Sequence, residues 1–276
     1  MKPLVLTGWL IPDFIDSNFA DLAVHFPFHF VWGQLPSPDE LAAYLGLRTD
    51  HRPGRHWSDF TLGWEQSKNG LWHYTVYVEN GRVVDETTAL KTGLLAIAET
   101  GKCTFRFTSN QNVIISDVQE ADKASIQQVL EQYGIIAHTE NATAIRKNAM
   151  ACVAMPTCPL ALAEAQRYLP SLLTRIEGTL AKHQLQDENI IIRMTGCPNG
   201  CGRSYASEIG FVGTGPGRYN LHLGGDHEGY RLNRIYKESL DEENIVSELD
   251  NLFGSFKKER KKNESFGDFA LRKQLV

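Results

Sequence analysis

The run Trp72-His-Tyr-Thr-Val-Tyr-Val78, followed by Glu79-Asn80-Gly81, sets the character of the region around it. Aromatic and β-branched residues alternate with other side chains at a period of two, the signature of a half-buried strand, and Asn-Gly is a turn signal that closes it. Working outward, Phe60–Trp64 reads as a strand, Ala89–Glu99 as a helix, Cys103–Thr108 and Asn112–Ser116 as two more strands, and Ala121–Tyr133 as a second helix. The order ββαββα predicts an α+β fold, helices packed on an antiparallel sheet. By topology this is a ferredoxin-like half-domain, a label that implies no iron–sulfur site within it. Upstream, Ser37 as cap and Pro38 in the first turn predict a helix over 38–46. The chain therefore divides into an unassigned segment 1–57, the half-domain 58–140 and a third region 141–276.

With 276 residues, 42% of them apolar, the chain can bury the cores of two ordinary domains. A net charge of −5 speaks against a general nucleic-acid or membrane-surface binder, because both partners are anionic. No apolar run approaches the roughly 18 residues that span a bilayer, and Met1-Lys2-Pro3 does not open a cleavable signal, so a cytoplasmic location is expected. In the third region, Leu172, Ile176 and Leu180 share a helix face, Ile190–Met194 reads as a buried strand, and Ile245, Leu249, Leu252 and Phe256 mark a last amphipathic helix. These residues are core. The nine histidines form no H-x-x-x-H pair and read as surface or satisfied core residues.

Five cysteines are an odd number and too few for a disulfide scaffold of this length, which favours metal or redox chemistry. Four of them come as two close pairs, Cys152-Val-Ala-Met-Pro-Thr-Cys158 and Cys197-Pro-Asn-Gly-Cys201. Four thiolates from two loops can enclose a cubane cluster, since thiolate is the soft ligand that its iron prefers. Gly196, Pro198, Gly200 and Gly202 would let backbone amides approach the sulfurs. A zinc site is the rival reading; its paired cysteines usually stand about two to four residues apart, which Cys197 and Cys201 satisfy and Cys152 and Cys158 do not. Cys103 lies in a strand-like run with Phe105 and Phe107 and reads as a packed residue.

Longer motifs surround these cysteines: Asn148-Ala-Met-Ala-Cys152 through Pro159, Arg193-Met-Thr-Gly-Cys197 through Arg203, Pro216-Gly-Arg-Tyr-Asn-Leu-His-Leu-Gly-Gly225 and Phe266-Gly-Asp-Phe269, with 38 residues between Cys158 and Cys197. In this order they resemble the C-terminal half of the sulfite reductase hemoprotein family, a likeness that Lys91-Thr-Gly-Leu-Leu and Thr108-Ser-Asn-Gln-Asn112 extend over about residues 58–276.

The resemblance implies an α/β domain in which Cys152, Cys158, Cys197 and Cys201 hold a [4Fe–4S] cluster and Cys201 also bridges to siroheme as its axial ligand. It implies reduction of sulfite to sulfide in assimilatory sulfur metabolism, with electrons from a flavoprotein that uses NADPH. Asn199, Asn110 and Asn112 become expected siroheme neighbours, and Arg106, Arg146, Lys147, Arg193 and Arg203 candidate cations for anionic groups. The family's sulfite-binding cations lie mostly in the half not matched here, so the resemblance assigns no catalytic residue. A truncated chain, or one of two chains sharing the enzyme, is expected. Two further readings stay open, a non-catalytic [4Fe–4S] electron-transfer module and a siroheme nitrite reductase. The run Gly213-Thr-Gly-Pro-Gly217 is no nicotinamide fingerprint, so NADPH would bind elsewhere.

Overall fold

A computed structural model describes residues 61–276. The helix expected over 38–46, the segment 1–57 and the first residue of the strand expected at Phe60–Trp64 lie outside the described residues. The described part belongs to one compact unit that contains two hydrophobic clusters.

The first sheet is antiparallel throughout, in the order β1-β2-β4-β3, from β1 (Gly63–Gln66), β2 (Trp72–Val76), β3 (Thr104–Phe107) and β4 (Val113–Val118). Helices α1 (Leu90–Glu99) and α2 (Glu120–Gln132) complete the expected ββαββα order. Tyr74, Val76, Ile115 and Val118 from the sheet bury against Leu90, Leu94, Ile97, Ile126 and Leu130 from the helices; the periods of strand and helix place most of them, and an irregularity at Asp117, φ 63°, returns Val118 to the inward face. The strand after Trp72 ends at Val76, two residues short of the expected Val78, because Tyr77 and Val78 turn their amides to the side chains of Thr139 and Asn112. Asn80 and Gly81 form the turn with φ of 51° and 72°, the left-handed backbone that Asn-Gly tolerates best.

Two short helices, α3 (Ile135–Asn141) and α4 (Ala144–Asn148), lead into the second sheet, order β5-β6-β7-β8-β9. Its strands β5 (Met150–Ala151), β6 (Ile192–Thr195) and β7 (Ile209–Gly215) are parallel neighbours. Strands β8 (Arg218–Leu223) and β9 (Arg234–Leu240) extend the sheet antiparallel. Helix α5 (Leu169–Lys182) is the crossover between β5 and β6 and packs on α6 (Glu242–Glu259); α7 (Phe266–Arg272) closes the fold. Leu172, Ile176, Leu180, Ile245, Leu249, Leu252 and Phe256 all lie in this core, as their helical spacing predicts. The reading of every core histidine as satisfied needs correcting: among the described residues, the buried atoms His138 Nε2 and His222 Nδ1 find no hydrogen-bond partner, and burial lowers both pKa values.

Near the end of the fold, Glu264 accepts from the Arg272 guanidinium at 2.5 and 2.8 Å and from the Lys261 amide at 2.8 Å, which holds its pKa down at about 2 from an ordinary 4.5. A carboxylate with a depressed folded-state pKa stabilises the fold above its unfolded value and stops doing so as pH falls through the folded one. The stability gap between the parent and Glu264→Gln is therefore expected to be constant above pH 4.5 and to close as the pH approaches 2, in urea midpoints taken across that range. A gap independent of pH would show that the carboxylate charge is not what holds Arg272.

Candidate metal centre

Cys152 and Cys197 each follow the carboxyl end of a parallel strand. Ala151 pairs with Met194, so Cys152 leaves β5 beside Thr195, two residues before Cys197. Parallel strands present their carboxyl ends at one edge, which is where open α/β sheets place ligands. The first loop turns back at once: Ala154 takes a φ of 49°, and its carbonyl accepts from the Cys158 amide at 2.8 Å, which returns Cys158 toward Cys152. The second loop is clasped to the first by the Leu162 and Ala163 amides, which donate to the Gly196 carbonyl at 2.8 and 3.0 Å.

Glycine is required where these backbones meet. A Cβ on Gly196 would lie 2.6 Å from both Ala154 Cβ and the Ala163 carbonyl oxygen, and one on Gly202 would lie 2.2 Å from the Met194 carbonyl oxygen. The expectation that these glycines bring amides to sulfur holds at Gly196, whose N–H donates to Cys152 Sγ at 3.2 Å, with the Thr195 hydroxyl 3.5 Å away. Cys197 is 8% exposed, Cys152 and Cys158 are half-buried, and Cys201 is exposed.

The four thiols act on one another. Burial raises the Cys201 pKa, and Cys152, Cys197 and Cys158 add to the rise because a thiolate at 201 would face their like charge. Such a set is self-repelling until a cation joins it, and bound iron reverses the sign by favouring deprotonated sulfur. Among the described residues no three His, Cys, Asp or Glu side chains converge closely enough to hold a single metal ion. A cubane is wider than an ion; four cysteines on two clasped loops, with the Gly196 amide donating to one sulfur, are the donor set such a cluster takes. Cys103 stands apart, immediately before β3 and partly buried against the core of the first sheet, as its sequence context predicts.

The candidate cations divide sharply. Arg106 pairs with Asp117 on the surface, Lys147 donates to the Glu140 carbonyl, and Arg146 is held by Glu79 and Glu177. Arg193 and Arg203 are different: both are half-buried, neither has a carboxylate partner among the described residues, and Arg193 Nε has no partner at all. Burial and the neighbouring Arg203 charge push Arg193 down to about 10. Two adjacent guanidiniums without a counter-ion suit an anionic group. Asn199 is exposed between the two cysteines of its loop; Asn110 meets Arg203 at 3.3 Å; Asn112 is buried, with its oxygen occupied by the Val78 amide. The two-point contact of Gln111 with Ala151, 2.8 Å to its carbonyl and 3.3 Å from its amide, had no signal in the sequence beyond lying in the Thr108–Asn112 turn.

Fold and cysteine motifs together follow the pattern of the nitrite/sulfite reductase family. Residues 65–133 match the nitrite/sulfite reductase ferredoxin-like half domain. The chain is 60% identical over 212 residues to the sulfite reductase [NADPH] hemoprotein beta-component of Leptospira biflexa, covering 76% of this chain and 38% of that protein. It is 49% identical over 216 residues to the protein of the same name from Escherichia coli, covering 78% and 37%. Among solved structures, Mycobacterium tuberculosis NirA superposes with a TM-score of 0.61 at 27% identity, covering 76% of this chain and 40% of that one. Dissimilatory sulfite reductase I shares the fold at a TM-score of 0.50 and 12% identity, covering 94% and 83%.

The chain belongs to the nitrite/sulfite reductase family. Within it, its sequence goes with the sulfite reductase hemoprotein beta-components, and it spans under two-fifths of the length of the two compared. Among the described residues no helix is long and apolar enough to cross a membrane.

Proposed function

We propose that this chain is the cluster-bearing part of a sulfite reductase hemoprotein, with Cys152, Cys158, Cys197 and Cys201 as ligands of a [4Fe–4S] cluster and Cys201 as the thiolate shared with siroheme. The gathering of the four thiols at the carboxyl ends of β5 and β6 carries this reading. The half-domain 58–140 and the siroheme and cluster domain 141–276 are its two parts.

When bound, the coupled centre would supply electrons one at a time for the reduction of sulfite to sulfide. The chain's own residues do the rest. Gly196 N–H and the Thr195 hydroxyl donate to the Cys152 sulfur, which stabilises added charge there. Arg193 and Arg203 offer uncompensated positive charge to the carboxylates of a siroheme. Asn199 lies within the second loop, Asn110 meets Arg203 just beyond it, and with Asn112 they are the proposed siroheme neighbours. Val153, Leu160 and Leu162, all exposed beside Cys152 and Cys158, give the loops an apolar rim that a macrocycle or a second polypeptide would cover.

Electrons would come from a flavoprotein that uses NADPH, in the cytoplasm, and a second hemoprotein half would complete the anion site. The second reading, in which the same four thiols hold a cluster without siroheme, is a module that transfers electrons without turning over sulfite.

The test is anaerobic purification from a host that makes siroheme, with iron and acid-labile sulfide counted, a visible spectrum taken, and turnover of sulfite and nitrite followed with a reduced viologen. About four sulfides per chain with siroheme bands and sulfite turnover is the expected outcome. A cluster without siroheme selects the module, nitrite turnover alone selects the nitrite enzyme, and one zinc with no sulfide defeats all three.

A further inference from the structure

We infer that the tip of the β3–β4 hairpin, Ser109 to Gln111, is a clamp that positions both cysteine loops, with Gln111 its positioning residue; this rests on the cluster reading above. One side of the clamp is the Gln111 carboxamide. β5 is the edge of the second sheet, so Ala151 has β6 on one side only. On the other side Gln111 supplies what a further strand would: its Nε2 donates to the Ala151 carbonyl at 2.8 Å and its Oε1 accepts from the Ala151 amide at 3.3 Å. The next residue is Cys152.

The other side of the clamp is Arg203, two residues beyond Cys201. Its Nη2 donates to the Ser109 carbonyl and lies 3.3 Å from Asn110 Oδ1. Three successive hairpin residues thus hold the start of one cysteine loop and the end of the other.

The hairpin is stiff enough to act this way. Thr108 and Asn112 exchange bonds across it, Thr108 N–H to the Asn112 carbonyl at 3.0 Å and Asn112 N–H to the Thr108 hydroxyl at 3.0 Å, and the Gln111 amide donates to the Thr108 carbonyl at 3.2 Å. Behind it, Gly81 sits so close that an added Cβ would lie 3.2 Å from Gln111 Cβ. Gln111 and Arg203 both hold left-handed backbone, φ of 65° and 54°. Residues with side chains adopt it at a cost, and it persists where the surroundings fix it. The half-domain carries no cysteine ligand, and the clamp gives it a part in the centre: it sets where Cys152 and Cys201 stand.

Two readouts on Gln111→Leu and Gln111→Glu decide the matter. The first is hydrogen exchange at the Ala151 amide in the cluster-free chain, with amides of β4 as reference. Removing one hydrogen bond should speed exchange at Ala151 about two- to tenfold in Gln111→Leu and leave β4 alone, while Gln111→Glu, which retains the acceptor, should stay nearer the parent. The second is the rate at which an iron chelator strips the cluster from the full chain, expected to rise about two- to tenfold in both variants, since each loses the bond to the Ala151 carbonyl.

Unchanged exchange at Ala151 in Gln111→Leu, or unchanged iron loss in either variant, would overturn the clamp. Should Gln111→Leu fail to fold, the iron-loss rate of Gln111→Glu, which lacks the bond to the Ala151 carbonyl, decides it. A parent chain without iron and sulfide would instead overturn the cluster reading, and the exchange experiment would still decide whether Gln111 holds Ala151.

Discussion

Cys197→Ser is expected to lower the acid-labile sulfide of the anaerobically purified chain from about four per chain to near zero, and the cluster iron with it, with loss of the visible cluster band. Cys197 is the most buried of the four, 8% exposed, and stands two residues after β6, close to the rigid sheet, so the loop has little freedom to bring another ligand into its place. Serine keeps the volume and lets the chain fold, while its hydroxyl stays protonated where the thiol ionises, and a protonated oxygen is a poor ligand for cluster iron. The control is Cys103→Ser. Cys103 packs against the core of the first sheet, burial raises its pKa, and its loss should leave iron and sulfide unchanged. Full iron in Cys197→Ser would remove that residue from the ligand set; equal loss in both variants would mean that the measurement reports folding and not ligation.

How much of this was legible beforehand depends on the range of the cause. Strand and helix periodicities fixed the half-domain to within a few residues, because one buried face per element is a local property: Trp72–Val76, Leu90–Glu99 and Glu120–Gln132 lie where the pattern puts them. The second sheet was less visible. Only β6 was read there, since β7, Ile209–Gly215, ends in Gly-Thr-Gly and β9, Arg234–Leu240, is a charged edge strand; neither alternates cleanly.

At the site, the cysteine pairs announced themselves by spacing. Their supports did not, because they are contacts between residues distant in sequence. Gln111 reaches Ala151 across 40 positions and Arg203 reaches Ser109 across 94, and no periodicity encodes either. Arg146 makes the complementary point: a cation beside a matching motif looked available for an anion, and the fold pairs it with Glu79 and Glu177 instead, which ties the half-domain to α5.

Gly202→Ala should destabilise the cluster-free chain by about 3 kcal/mol or more, read from urea unfolding. The glycine follows Cys201, and its added Cβ would lie 2.2 Å from the Met194 carbonyl oxygen and 2.9 Å from the Cys152 amide nitrogen. Those two atoms are partners, the Cys152 amide donating to the Met194 carbonyl at 3.2 Å, so the methyl group would be wedged into the bond that ties the first cysteine loop to β6. Neither contact is the end of a flexible side chain, so relief means moving backbone next to Cys152, Cys197 or Cys201, and the same substitution should therefore weaken iron retention as well as the fold. Gly178→Ala separates this from a general penalty on glycine replacement. Gly178 lies within α5 with open space where the Cβ would go, and alanine there should be neutral or stabilise by about 0.5–1 kcal/mol, since glycine is the poorer helix former. A Gly202→Ala chain within about 1 kcal/mol of the parent would mean that the two cysteine loops can part without cost, below even the usual penalty for overpacking a tight site.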